Sequence, residues 1–322
     1  MEQEGGLMNV KPIKLLPATK DYIWGGTKLK KLWGKRAETP TIAECWEFSV
    51  YPGSASVVDD AMFKGYTLDK LLEKHPEFFG EKLKNYKKFP VLIKLLDASG
   101  DLSVQVHPSD EYALEHEGEL GKTEMWYILD ADEGAYIYYG FDRGYTREEV
   151  ASAAANGSIT QLLNKVFVKK GDCFAVPAGT VHALCRGVTV YEAQENSNVT
   201  YRVWDYRRKD KNGRERELHL DKALEVMDTG PAPAEQNAGA RVINGNTVRK
   251  LVRTEYFNVK EVGITGEYLM YSPDSFQVVT VADGSAVFDS GAVAGKGDTY
   301  FLPAGQMYKL TAENAVILVT SL

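Results

Sequence analysis

Two segments 126 residues apart carry one pattern. Residues 171–184 read GDCFAVPAGTVHAL and residues 297–310 read GDTYFLPAGQMYKL. Glycine, aspartate, an aromatic, an aliphatic, Pro-Ala-Gly and a final leucine recur in register. Locally this spells a strand, a turn pinned by proline and glycine, and a returning strand. A chain with one copy in each half is constrained toward a duplicated β unit, a barrel or a sandwich. Short β-branched or aromatic runs support this: Val91–Leu96, Leu102–His107, Glu124–Leu129, Ala135–Tyr139, Cys173–Val176, Thr189–Ala193 and Thr200–Trp204. Helical periodicity is confined to Tyr66–Lys74, to Tyr145–Asn164, broken at Gly157 after a capping-box start at Thr146 and Glu149, and to Leu220–Met227. The regular strand–helix alternation of a parallel α/β fold is missing. The expected class is mainly β, a duplicated barrel or sandwich unit with a few short peripheral helices.

The Pro/Ala/Gly-rich stretch TGPAPAEQNAGA, residues 229–240, is the natural linker. It divides the chain into an expected domain 1–228 and a second domain 241–322, where strand-like runs resume at Phe257–Val262, Phe276–Val281, Ser285–Phe288, Thr299–Leu302 and Ala315–Thr320. A net charge of −7 argues against a nucleic-acid partner, which needs a concentrated positive face. The acidic start Met1-Glu2-Gln3-Glu4 leads into no apolar segment. The longest uncharged runs fall short of the roughly 18–20 apolar residues of a membrane span. Three dispersed cysteines (Cys45, Cys173, Cys185) fit reduced thiols. The expectation is a soluble cytoplasmic protein without membrane contact, and nothing in the sequence points to a protein partner.

The repeat copies differ at one informative place, where His182 corresponds to Tyr308. All five histidines (75, 107, 116, 182, 219) precede the linker, so metal chemistry, if present, belongs to the first half. In D-L-S-V-Q-V-H-P, residues 101–108, strand alternation puts Ser103, Gln105 and His107 on one face and Leu102, Val104 and Val106 on the other. Lys122 and Glu124 likewise share a face, and His182 sits in an uncharged turn between aliphatic strands. An exposed strand would explain each of these alone. Together, two imidazoles, a carboxylate and an amide oxygen make a ligand set suited to Zn²⁺ or another divalent first-row ion. His75, His116 and His219 read as surface residues, and Cys45 as a buried thiol. Arg202, on Thr200–Trp204, could bind an anion bidentately or stabilise developing negative charge. The run RRKDKNGRERE from Arg207 reads as a solvated loop. Neither a Walker sequence nor G-x-G-x-x-G supports a nucleotide cofactor.

Gly171 to His182 fits the second cupin motif, without its downstream asparagine. The first motif is distorted, with Gln105-x-His107 in place of two histidines and Glu124 much further on. In that distortion the chain resembles the type I mannose-6-phosphate isomerases (phosphomannose isomerases), zinc enzymes of the cupin superfamily. The match runs through Trp24–Leu29, Phe89–Asp97, Ser103–Pro108, Gly121–Tyr127, Pro177–His182 and Tyr201–Tyr206, in family order. The short interval from Glu124 to His182 resembles the compact bacterial branch. The resemblance implies two cupin (jelly-roll β-barrel) domains, the second metal-free. It also implies one Zn²⁺ per chain held by Gln105, His107, Glu124 and His182, with Arg202 as the active-site arginine. Ser103 and Lys122 would contact substrate, a small-molecule hexose phosphate, with Lys122 considered as a proton-transfer base.

The implied reaction interconverts mannose 6-phosphate and fructose 6-phosphate through a cis-enediol. Lys122, a carboxylate such as Glu195, or a metal-bound water remain open as the base. The rivals are an isomerase of another hexose phosphate, a non-catalytic sugar-phosphate-binding cupin, and a cupin dioxygenase using iron and O₂.

Overall fold

The computed structural model describes residues 10–209, 213–232 and 239–322. Among these the chain is mainly β, its sheets are antiparallel, and five short α-helices accompany them. No described helix is long and apolar enough to cross a membrane. The chain groups into two compact units.

One unit comprises Thr19–Cys45 and the chain from Val91 to the described end at Ala232. Its larger sheet orders Cys173–Val176, Glu124–Ala131, Val188–Glu195, Val91–Ala98, Glu44–Phe48 and Ala18–Lys20; the last two strands straddle the unit's boundaries. A five-stranded sheet orders Tyr201–Trp204, Val104–Val106, His182–Leu184, Tyr136–Phe141 and Leu163–Phe167. Ile128, Val176, Val188, Val190, Ile137 and Leu184 from the two sheets pack into one apolar cluster. The capping box at Thr146 and Glu149 forms as expected and starts Arg147–Asn156, which ends on Gly157 at φ +83°. Helix does not resume through Asn164, as the sequence suggested. A 3₁₀ turn at Ile159–Gln161 leads instead into the strand Leu163–Phe167, whose pairing with Tyr136–Phe141 overrides local propensity.

The other unit joins the N-terminal segment through Ala18 and Trp46–Pro90 to the C-terminal stretch ending at Leu322. Here the units depart from the simple expected division at 228/241. Ile13–Leu16 pairs with both Thr299–Leu302 and Val57–Val58, and Phe48, Phe79, Phe276 and Phe301 share one fully buried aromatic cluster. Distant sheet pairing and apolar burial, not chain order, decide membership. The strands are also longer than expected. Gln277–Phe288 runs unbroken, with register shifts between Val281 and Asp283 and between Gly284 and Val287. Asp283-Gly284, which reads as a turn, marks a β-bulge. The expected linker lies partly outside the described residues, at 233–238. Before that gap it is docked: Tyr145 N–H donates to the Thr229 carbonyl at 3.0 Å and Ala232 N–H to that of Phe141 at 2.9 Å.

Both repeat copies form the strand–turn–strand unit. Gly171, Gly179, Gly297 and Gly305 adopt φ of +91°, +88°, +88° and +75°, which explains why glycine recurs at these turns. Gly121 serves a different purpose. A Cβ there would lie 2.4 Å from the Asp110 nitrogen and 2.7 Å from the Pro108 oxygen, and Gly121 N–H donates to Asp110 Oδ1 at 2.7 Å. This close backbone approach fixes the entry to Lys122–Glu124. Gly121→Ala is therefore expected to lower the unfolding free energy by about 1–3 kcal/mol, as overpacking against backbone does. Denaturant titration checks this, and an unchanged midpoint would show that the segment yields freely.

Candidate metal centre and adjoining cavity

Sheet register brings distant sequence positions side by side. Gln105 pairs with His182 on one neighbouring strand and with Arg202 on the other, while His107 follows one residue beyond Val104–Val106. Glu124 arrives from the other sheet, where it pairs with Val176 and Gln194. His107, Glu124 and His182 thus converge, all buried, with one donor atom from each within 4.8 Å of the others.

The imidazoles are locked. His107 Nδ1 meets the Val199 carbonyl at 2.9 Å and His182 Nδ1 meets that of Thr180 at 2.8 Å. A carbonyl only accepts, so each Nδ1 carries the hydrogen and each Nε2 keeps its lone pair. Those Nε2 atoms lie 3.5 Å and 3.3 Å from the Glu124 oxygens. Lys122 Nζ sits 3.0 Å from Glu124 Oε2 as an ion-pair contact. Even so, both Glu124 oxygens and His107 Nε2 are buried without a directed hydrogen bond. Burial, reinforced by the Lys122 charge, pushes the His107 imidazole down to about 3, and burial lowers His182 as well. For Glu124, burial acts upward, but the adjacent Lys122 ammonium outweighs it and holds the carboxyl well below the usual range. Two neutral imidazoles and a carboxylate, their lone pairs facing one point, are in the protonation state a divalent cation requires. The residues fit a metal.

Gln105 reaches the same point. Its Nε2 lies 3.2 Å from His182 Nε2, and its Oε1 accepts from Ser103 Oγ at 3.4 Å. A half-turn of the carboxamide would exchange the two atoms and present the oxygen. Gln105, Lys122 and Trp126 also line a cavity of about 370 Å³, together with Ser103, Arg202 and Arg216. The sequence-expected residues are therefore brought together: Gln105, His107, Glu124 and His182 around one point, and Ser103, Lys122 and Arg202 on the adjoining cavity. Arg202 Nη1 donates to the Glu217 carbonyl at 2.7 Å, its N–H meets His219 Nδ1 at 3.2 Å, and its Nε is buried without a partner among the described residues.

Other expectations change. His219, expected to be solvated, is half-buried and anchors the Arg202 backbone, because the helix Leu220–Val226 starts against that strand. Glu195 does not line the cavity. Its Oε1 accepts from Thr123 N–H at 2.5 Å, and burial pushes its carboxyl up to about 8. Arg208 and Arg216, read as part of a solvated run, both pair with the buried Asp205.

Sequence reasoning passed over one buried network on the cavity wall. Lys94 Nζ lies 3.6 Å from Glu44 and 3.4 Å from Glu192, whose other oxygen accepts from Trp126 Nε1 at 2.9 Å. Burial would depress the Lys94 ammonium, but the surrounding carboxylates outweigh it and raise it. Burial, with Glu124 adding to it, pushes the Glu192 carboxyl up. The available signal was a charge in the middle of an apolar strand, as in Val-Leu-Ile-Lys-Leu-Leu at 91–96.

Comparison with known proteins agrees with this geometry. The family model for the phosphomannose isomerase type I catalytic domain matches residues 13–134. The chain is 41% identical over 302 residues to mannose-6-phosphate isomerase ManA of Bacillus subtilis, covering 92% of this chain and 95% of that one. It is 40% identical over 295 residues to a mannose-6-phosphate isomerase of Streptococcus mutans, covering 91% and 92%. The crystal structure of mannose 6-phosphate isomerase from Bacillus subtilis superposes with a TM-score of 0.90 at 38% identity, over 97% of this chain and 99% of that one. A phosphomannose isomerase variant from Salmonella typhimurium, 16% identical with a TM-score of 0.78 over 97% and 99%, shares the fold. The β units are cupins. The chain belongs to the type I phosphomannose isomerases.

Proposed function

We propose that this chain interconverts mannose 6-phosphate and fructose 6-phosphate, with one zinc ion bound per chain. The observation that carries the reading is the set of buried donor atoms on His107 and Glu124 without a directed hydrogen bond, beside a cavity lined by Ser103, Gln105, Lys122 and Arg202. His107, Glu124 and His182 would hold the ion, with Gln105 as a fourth donor. Two nitrogens and a carboxylate oxygen suit zinc better than a hard oxygen-seeking cation. When bound, the ion supplies Lewis acidity toward the sugar's C1 and C2 oxygens.

The chain's own residues do the rest. The open-chain aldose loses its C2 proton, and the electron pair left behind forms the C1–C2 double bond of a cis-enediol as the C1 oxygen gains a proton. Return of a proton to C1 and loss of the O2 proton give the ketose without redox change. Lys122 Nζ, on the cavity wall, is our choice for moving the carbon-bound proton: as the neutral amine, released from its ion pair with Glu124, it would take the C2 proton, and as the ammonium it would return it to C1. Arg202, with Nε unpartnered, faces the charge that develops on the enediol oxygens. Ser103 orients a sugar hydroxyl. Tyr22, Trp24 and Leu102 give the cavity apolar walls that limit water around the intermediate.

Chelator-stripped protein should lose mannose 6-phosphate turnover and regain it with Zn²⁺. Failure of both forms to turn over, with zinc demonstrably bound, would sink the reading in favour of a non-catalytic binder. Glu124→Gln and His182→Ala should each copurify with far less zinc by elemental analysis, and wild-type occupancy in both would remove them from the ligand set. Lys122→Met should lower kcat by about 10²–10⁴-fold, the range for loss of a positioned acid–base group. Arg202→Ala should lower it by about 10²–10³-fold, as loss of a charge-stabilising donor does. Zinc content should hold in both; a parallel loss of metal would make the residue structural.

A further inference from the structure

Asp205 follows the strand Tyr201–Trp204 and is buried, with 3% of its surface exposed. Two guanidinium groups close on it. Arg208 donates to Asp205 Oδ1 and to the Asp101 carbonyl. Arg216 donates Nε to Asp205 Oδ2 at 2.7 Å and Nη2 to Oδ1 at 2.5 Å. This two-point fork fixes both the position and the plane of the Arg216 guanidinium. Among the described residues, its Nη1 has no protein partner.

Arg216 lines the same cavity as Ser103, Lys122 and Arg202. The cavity's cations differ in how they are neutralised. Lys122 is answered by Glu124, and Lys94 by Glu44 and Glu192. The cavity's other two lining cations, on the remaining wall, are Arg202 and Arg216. Among the described residues Arg202 pairs with no carboxylate and donates to the Glu217 backbone carbonyl, while Arg216 shares the buried Asp205 with Arg208, which lies outside the cavity lining; the Glu217 side chain is exposed to solvent. Burial would raise Asp205, but Arg216 and Arg208 outweigh it and keep it ionised. A buried, ionised Asp205 can hold its arginines while leaving this wall with an excess of positive charge. Such an excess, presented through a pre-oriented guanidinium, suits a tetrahedral dianion better than a neutral hydroxyl.

We propose that Arg216, positioned by Asp205, receives the substrate's phosphate and makes the enzyme selective for a phosphorylated sugar. This rests on the isomerase reading above. The sugar's carbonyl end then extends toward Gln105 and Lys122, so phosphate recognition and proton transfer use separate walls of one cavity.

The test uses full-length, zinc-loaded enzyme with Arg216→Ala, Arg216→Gln and Arg216→Lys. Glutamine removes the charge and keeps a hydrogen bond for Asp205, so it carries the test if the alanine variant does not fold. For both neutral variants, the KM for mannose 6-phosphate should rise by about 10–100-fold, matching the loss of a hydrogen bond to a charged group. The inhibition constant of inorganic phosphate should rise in parallel and kcat should change little, which is the signature of lost uniform binding. Arg216→Lys should recover part of the affinity. Unchanged KM and phosphate inhibition in a folded, zinc-replete neutral variant would overturn the assignment, as would a fall in kcat alone. Calorimetric binding of fructose 6-phosphate separates the two readings. Weaker binding by the variants supports the phosphate site even if the wild type turns nothing over, in which case only the isomerase reading falls. Equal binding by wild type and variants overturns the site itself.

Discussion

Glu124 is a carboxylate placed where water cannot reach it, and the site is organised around that burial. An isolated buried charge is prohibitive, so it must be answered by opposite charge or coordination. Lys122 answers part of it at 3.0 Å. The imidazoles cannot answer the rest as cations, because burial keeps them neutral and their Nδ1 hydrogens are committed to the Val199 and Thr180 carbonyls. What faces Glu124 is a pair of lone pairs. Lone pairs opposite a carboxylate repel unless a cation stands between them, so the backbone carbonyls that orient the histidines are as much a part of the candidate metal site as the donors that line it.

The duplication shows how narrow that requirement is. Both copies of the repeat fold alike, down to the four left-handed glycines. In the second copy Tyr308 stands where His182 stands in the first. Its hydroxyl donates toward the Val10 and Pro303 carbonyls at 3.2 and 3.4 Å. Around it Val279, Val281, Leu302, Leu310 and Ile317 fill the interior. One scaffold therefore supports a polar interior carrying two imidazoles and a carboxylate in one unit and a packed apolar core in the other. Strand register and turn chemistry specify the β unit, whereas a few inward side chains decide whether its interior is a site.

Much of the site was legible because its residues obey local periodicity. Alternation alone puts Ser103, Gln105 and His107 on one face and Lys122 with Glu124 on another. The asymmetry between His182 and Tyr308 needed only the repeat. What stayed hidden depends on register between distant strands. Nothing local says that residue 94 lies opposite residue 192, and 192 opposite 126, so the Lys94–Glu192–Trp126 network has no local signature beyond a charge in an apolar run. The same limit explains the units. Residues 46–90 precede the strands of the candidate site in sequence yet group with the C-terminal part through Phe48 and Phe79. His219 and Arg216 were missed for a different reason. A run rich in charge reads as solvated whenever composition is the only guide, and a buried partner such as Asp205 reverses that reading.

The arrangement of charge around the cavity also bears on how binding and chemistry are kept apart. Ion pairs on the walls carrying Lys122 and Lys94 leave those ammonium groups little net attraction for a distant anion. Arg202 and Arg216 keep an excess of positive charge because, among the described residues, Arg202 pairs with no carboxylate and Arg216 shares Asp205 with Arg208. On the proposed assignment, an incoming anionic sugar would be drawn toward Arg216 first, which leaves its uncharged carbonyl end to approach Gln105 and Lys122. On that assignment, excess positive charge beside Glu124 would instead draw the phosphate to the reacting end of the cavity, and tight binding would oppose turnover. Separating the two ends of the substrate in this way would let affinity reside in a group that does not react, which is where binding energy can position the reacting carbons without stabilising them in the ground state.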